Sequence, residues 1–315
     1  MNALAWMGRH ATALLALGFL IVPLLPLPGD AVRPLLPVMV AIVTGLAVAR
    51  QPAFFTALRD VLHPRVAGSL IAWHLAVQIA AAAIFVGLGH GLGWPRELTL
   101  MLVVFCAAPS ITSAPNFCLM LGYNFPLALR LSLFGTLLSP LLVPIALGLA
   151  GFESLAGAEI VAVKVLSILA GGVALGVAIQ RLAGPARVAA NPEVFDGLTA
   201  IAMIGFLVPL MAGARAAALA APLQVLGLLA LASVLGLGGT FGMRWLAGRF
   251  TDTATARALG LLFGSRNVGL VLAILPYDSL VTLFVAAMQL PIFGAPLLMS
   301  VVDRTRPGKS PSPPS

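Results

Sequence analysis

Apolar runs of about 20 residues, separated by short charged or Pro/Gly-rich breaks, follow one another from residue 11 to residue 302. A run of that length crosses the hydrocarbon core of a bilayer as one helix. Cutting at the breaks predicts ten spans: 11–28, 32–50, 66–88, 97–122, 126–150, 157–181, 195–214, 221–246, 254–275 and 278–302. The connection from Arg181 to Asp196 is the longest internal one and divides the ten into two sets of five. Five is odd, so related halves must be inverted with respect to each other. The fourth span contains "APSITSAPN" and the ninth "GSRNVG", each a polar interruption of an apolar helix. The spans that follow contain "LSPLLVP" and "FGAPLLM", with Pro140 and Pro296 at comparable depth. The pattern predicts an all-α polytopic membrane protein, with one transmembrane domain over residues 1–302. Within it lie two inverted five-helix repeats, about 11–150 and 157–302, whose fourth and ninth helices are broken. Interrupted helices at matching places in inverted halves point to a substrate site near the membrane midplane.

Composition agrees with that reading and narrows it. Hydrophobic residues make up 60% of the chain and charged residues 9%, with a mean hydropathy of +1.07. A soluble domain carries roughly 25% charged residues, so the partner of this surface is a lipid bilayer. The net charge of +8 is dispersed over short loops without a basic, aromatic-interleaved run, and no nucleic-acid partner is expected. Arg9, Arg50, Arg59, Arg65, Arg181, Arg187, Arg244, Arg249, Arg257, Arg304, Arg306 and Lys309 fall on one side of the ten spans, against Arg33, Arg96 and Arg215 on the other, with Lys164 just inside a helix there. Such an asymmetry sets both termini in the cytoplasm of a multi-pass inner-membrane protein. The first apolar run resembles a signal peptide, but it lacks a small-x-small site and further spans follow at once, so it reads as the first transmembrane helix. Residues 303–315, Pro/Ser-rich and polar, read as a disordered cytoplasmic tail.

Four segments resemble the bile acid:sodium symporter family: "LLPVMVAIVTGLAV", "LHPRVAGSLIAWHLAVQ", "CAAPSITSAPN…LSLFGTLLSPLL" and "GSRNVGLVLAI". The resemblance covers most of the chain. It implies a panel domain and a core domain moving against each other, with fourth and ninth helices that unwind and cross beside the substrate. It also exposes departures. Positions where the family ligates sodium with serine and asparagine fall on Ala114 and Pro115. One hydroxyl position of the fifth helix falls on Ala128, the other on Ser132. The family's ninth-helix glutamate and glutamine fall on Leu262 and Arg266, and a third-helix polar position near His74 or Gln78. Sodium prefers several oxygen ligands, usually with a carboxylate among them. The ten acidic residues, Asp30, Asp60, Glu97, Glu153, Glu159, Glu193, Asp196, Asp252, Asp278 and Asp303, all fall in loops or at helix ends. No metal ligands, no carboxylate proton relay and no cofactor are expected.

Arg266 lies inside "GLLFGSRNVGLVLAILP", at a depth where an unpaired charge is costly. A guanidinium there can occupy the space of a cation and donate to helix-end carbonyls, or face a cavity and bind an anion. Snorkelling is the competing reading, but it requires a reach of about 12 Å from the helix start. Asn267 and Gly269 are expected where the ninth helix unwinds, with Pro109 and Pro115 breaking the fourth. Thr112, Ser113 and Asn116 form the opposing polar cluster, or else are hydroxyl and amide groups of helix packing. His74 is either a buried neutral histidine or a titrating coupling residue. Arg130 and Lys164 are expected to snorkel. No H-E-x-x-H, G-x-S-x-G or paired intramembrane aspartate occurs, so no enzyme is expected. The sequence reads as a secondary transporter of a small organic anion, not sodium-coupled through the family's sites. Alternatives are a non-transporting sensor or scaffold of the same fold, or a sodium symporter with a relocated ion site.

Overall fold

The structure, a computed structural model, describes residues 3–27, 29–51, 54–151, 157–276 and 278–304. Among them every regular element is a helix, and the one β-type pairing is an isolated bridge. Besides short connecting helices such as Phe54–Val61, Pro185–Ala190 and Ala214–Ala220, the helices are α1 (Ala3–Arg9), α2 (Ala11–Ile21), α3 (Leu36–Ala49), α4 (Pro64–Leu92), α5 (Arg96–Ala107), α6 (Ala114–Met120) and α7 (Phe125–Leu149). They continue with α8 (Ala158–Ala183), α9 (Pro192–Leu210), α10 (Pro222–Ala247), α11 (Thr253–Gly264), α12 (Val268–Ile274) and α13 (Ser279–Arg304). Six of them, α4, α7, α8, α9, α10 and α13, are long and apolar enough to cross a bilayer. The other four expected spans are not continuous helices of that length. The first, 11–28, is helical only from Ala11 to Leu24, with α1 lying before it and the chain bent by 84° between α1 and the segment Ala13–Leu24; the second, Arg33–Ala49, is shorter. The fourth and ninth are each two half-helices, α5 with α6 and α11 with α12.

Irregularities occur in the same order in both halves of the chain. α4 passes through a π-helical turn at Leu75–Ala80 and α10 through one at Val234–Gly238. A broken helix follows each. Then come α7, with Pro140 and Pro144 inside it, and α13, with Pro291 and Pro296.

Two groups of helices pack against each other. In the first, α3 lies on α8 and α9, and α1 lies on α9. Gly45, Gly172 and Gly176 let the α3 and α8 backbones approach: a Cβ on Gly172 would stand 2.9 Å from the Ala41 carbonyl oxygen. Lipid tails are as apolar as leucine, so such backbone-to-backbone packing supplies the cohesion that water exclusion supplies in soluble proteins. Gln180 Nε2 donates to the carbonyls of Val48, Ala49 and Gln51 at 3.0–3.1 Å, closing the C-terminal end of α3. Arg50 pairs with Asp196, and Arg9 with Glu193 at 2.8 Å. The second group holds α4–α7 and α10–α13. Its polar tie is Asp303, which accepts from the Tyr123 hydroxyl and Arg244 Nη2, each at 2.6 Å, and pairs with Arg257 Nη2 at 3.3 Å. None of these ties runs from one group to the other.

Asp303 therefore corrects the expected tail boundary. It belongs to the last turn of α13 and to a half-buried ion cluster. Residues 305–315 of the expected tail lie outside the described residues.

Candidate functional site

α5 leaves the helical conformation at Ala108, whose φ of −64° and ψ of 133° are extended. Pro109 follows, and the ring of a proline disfavours helical backbone in the residue before it. α11 stops at Gly264, and α12 begins after Asn267, whose side-chain oxygen accepts from the Leu270 N–H at 3.2 Å. The two unwound segments lie antiparallel, with Ser110 opposite Arg266. Ile111 N–H donates to the Ser265 carbonyl at 3.0 Å and Asn267 N–H to the Pro109 carbonyl at 2.7 Å. Non-helical backbone persists at membrane depth only where protein or a wet cavity satisfies it, and here each segment satisfies the other. The Ser110 hydroxyl adds a bond to the Leu262 carbonyl at 3.0 Å.

Arg266 is 1% exposed, which removes the snorkelling reading. Its Nε donates to the Phe263 carbonyl at 2.9 Å and its Nη1 to the Ala108 carbonyl at 3.3 Å. Those oxygens belong to the last turn of α11 and the end of α5, so the guanidinium sits between the carbonyl ends of both half-helices. Its Cζ lies 5.1 Å from the Phe263 ring centre and 5.8 Å from that of Phe105. Nη2 is buried without a partner among the described residues.

A cavity of about 60 Å³ adjoins this arginine, between the two helix groups. Thr112, Ser113, Arg266, Asn267, Gly269 and Gln289 line it from the second group; Val40 and Thr44 of α3 and Met203 and Phe206 of α9 line it from the first. A second cavity, of about 260 Å³ and largely apolar, lies between α3, α8 and α7. Thr44 and Thr112 line both, so the two spaces meet at those hydroxyls.

Of the expected site residues, the structure brings Arg266, Asn267, Thr112, Ser113 and Gly269 to one cavity and leaves two away from it. Asn116 lies on α6, half-buried, outside the lining of either space. His74 is a fully buried packing residue: its Nε2 hydrogen-bonds the Leu131 carbonyl at 3.1 Å, its ring lies against Phe134, and Gly135 makes room for it. A carbonyl only accepts, so Nε2 carries the proton in the neutral ring. The helix-break assignments also change. Pro109 does end α5, but Pro115 stands in the first turn of α6, where its missing N–H is not needed. Gly269 is helical, inside α12; a Cβ there would come 2.6 Å from Phe206 Cζ, so glycine serves helix contact rather than unwinding.

Ser110, Ser265, Thr44 and Gln289 also belong to the crossing or its cavity and were not singled out in the sequence. Gln289, 4% exposed in the apolar run "VAAMQLPIF", carried a readable signal. The hydroxyl residues carried none, because serine and threonine are common packing residues in membrane helices. The implied sodium ligands do not fit: Ala114, Ala128 and Leu262 are fully buried apolar side chains, and the Phe263 and Ala108 carbonyls at the crossing are taken by the Arg266 guanidinium. Among the described residues, no group of three or more His, Cys, Asp or Glu side chains is placed to hold a metal ion. No known family model matches the chain, and no curated protein matches it.

Proposed function

We propose that this protein is a secondary transporter that carries an organic anion by alternating access, without sodium at the positions the resembled family uses. The observation that carries this reading is the buried Arg266 at the meeting of two broken helices. It is anchored by two carbonyls, keeps one nitrogen without a partner among the described residues, and lines a cavity between two helix groups. A charge kept at that depth without a carboxylate partner is retained for a ligand or pathway. The polar space suits a compact anionic head, and the adjoining apolar space of about 260 Å³ suits a hydrocarbon body. The groups on either side are held internally by their own ion pairs, which favours sliding of one on the other.

In this reading the ten helical segments form two inverted repeats of five. The matched order of π turn, break and proline-bearing helix supports it. The arginine-rich loops place both termini in the cytoplasm. The test is counterflow in proteoliposomes with labelled taurocholate, pyruvate and sulfate, each with sodium and with choline in its place. Counterflow of at least one organic anion, unchanged in choline, is the expected result. Steep sodium dependence points to a relocated ion site, and no counterflow of any probe leaves a sensor or scaffold.

A further inference from the structure

An isolated charge is costly to bury in a low-dielectric interior unless a counter-charge accompanies it. Arg266 has none. Its partners are two carbonyl oxygens and two ring faces. The ion pairs among the described residues join Arg9 to Glu193, Arg50 to Asp196, and Arg244 and Arg257 to Asp303. The polar residues that share its cavity, Thr44, Thr112, Ser113, Asn267 and Gln289, are all uncharged. Arginine does not escape by losing its proton, since guanidinium stays charged in proteins.

We infer that the transported anion is itself the counter-charge of Arg266, and that the protein is therefore an anion exchanger whose site reorients only when loaded. This rests on the transporter reading above. While the cavity is open to either side, water screens the guanidinium and the empty site is tolerable. Alternating access requires the two helix groups to close around the cavity, and closure removes that water. A bound monoanion turns the site into a neutral pair that passes through the closed state. An empty closed site leaves the unit charge with carbonyl dipoles and an unsatisfied Nη2 alone. The empty return is the slow step, so an anion released on one side is replaced by another before the site turns. One fixed charge and one free nitrogen match a monoanion, and the loaded site then carries no net charge through the membrane field.

The wild-type protein tests this without any variant. Proteoliposomes are loaded with the labelled taurocholate or pyruvate, then diluted into buffer with or without the same unlabelled anion, under potentials set by potassium and valinomycin. Exchange is expected to exceed net efflux by roughly tenfold or more, and its rate to stay constant as the potential is varied. Equal efflux in the two buffers, or exchange that follows the potential, overturns the inference while leaving the transporter reading intact. Absence of efflux under every condition for both probes overturns the transporter reading, and the exchange inference falls with it.

Discussion

Arg266 spreads its donors over three directions, and two of them are spent on carbonyls that the broken helices leave without helical partners. A lysine ammonium is a point charge on a flexible stem and lacks the planar fork. Arg266→Lys is therefore expected to keep the charge and lose most of the geometry, lowering counterflow by roughly tenfold or more. Arg266→Ala leaves the Ala108 and Phe263 oxygens unsatisfied, at about 1–3 kcal/mol each. It should lower the melting temperature in detergent and abolish counterflow; full activity in this variant would contradict the role given to the arginine. At this scale the sequence was informative about the exceptional residue and silent about ordinary ones. An arginine in an apolar run is costly enough to stand out, whereas Thr44 and Ser110 look like any packing hydroxyl.

Between residues and fold stand the close contacts that let the half-helices meet. α10 and α11 touch through Gly236, Thr240, Gly260 and Gly264, where a Cβ on Gly260 would come 2.5 Å from the Thr240 carbonyl oxygen. On Gly264 it would collide with both Thr240 Oγ1 and the Gly236 carbonyl oxygen. Because backbone cannot rotate aside as a side chain can, Gly264→Ala should cost about 1–3 kcal/mol or more. Gly242→Ala, which meets nothing within 4 Å, is the control; equal melting temperatures for the two would refute the packing argument. The turn that joins α6 to α7 is held differently. Burial, and then the hydrogen bond to Asp303, push the Tyr123 hydroxyl above its ordinary range. A group whose folded value is raised contributes stability that is intact below its unfolded value and lost as pH rises above it. That unfolded value is about 10 for tyrosine. Tyr123→Phe should thus be less stable than wild type by about 1.5–3 kcal/mol at pH near 8, with the gap closing above about pH 10. Melting curves from pH 8 to pH 11 read this directly; a gap constant across that range would mean that folding does not raise the Tyr123 hydroxyl.

For the molecule as a whole, orientation follows from charge. Reporter tags after Met1 and Ser315 should both register in the cytoplasm, since in the proposed ten-span topology the arginine-rich loops share that side. A periplasmic signal from either would overturn the proposed even span count, and with it the proposed inverted relation between the halves. The same scale carries the functional reading. Arg9–Glu193 and Arg50–Asp196 hold one helix group, and the Asp303 cluster holds the other. The space between them is lined by Val40, Met203, Phe206, Leu133 and Leu169 along with the few polar groups of the site. Apolar contacts without directional bonds can be exchanged for equivalent ones as the groups slide. A hydrogen-bonded interface would have to break its bonds first.

Hydropathy alone located the six long apolar helices, because transfer into lipid depends on local composition over about 20 residues and not on partners. It located one break for an equally local reason, the clash of Pro109 with helical backbone at Ala108. Arg266 was conspicuous for its transfer cost. That the two breaks share one cavity was expected from the resemblance, but which side chains pair there was not legible. A soluble helix announces its inward face by an apolar stripe, but here lipid and core both take apolar side chains. Leu35 is 48% exposed and its neighbour Leu36 1%, and nothing in their chemistry separates them. The rotation of each helix about its axis was therefore undetermined. With it went the pairing of Ser110 with Arg266, the burial of His74 against Leu131 and the contact of Gly269 with Phe206. Those were decided by tertiary packing, where backbone left unpaired by two breaks could be satisfied only by bringing the breaks together.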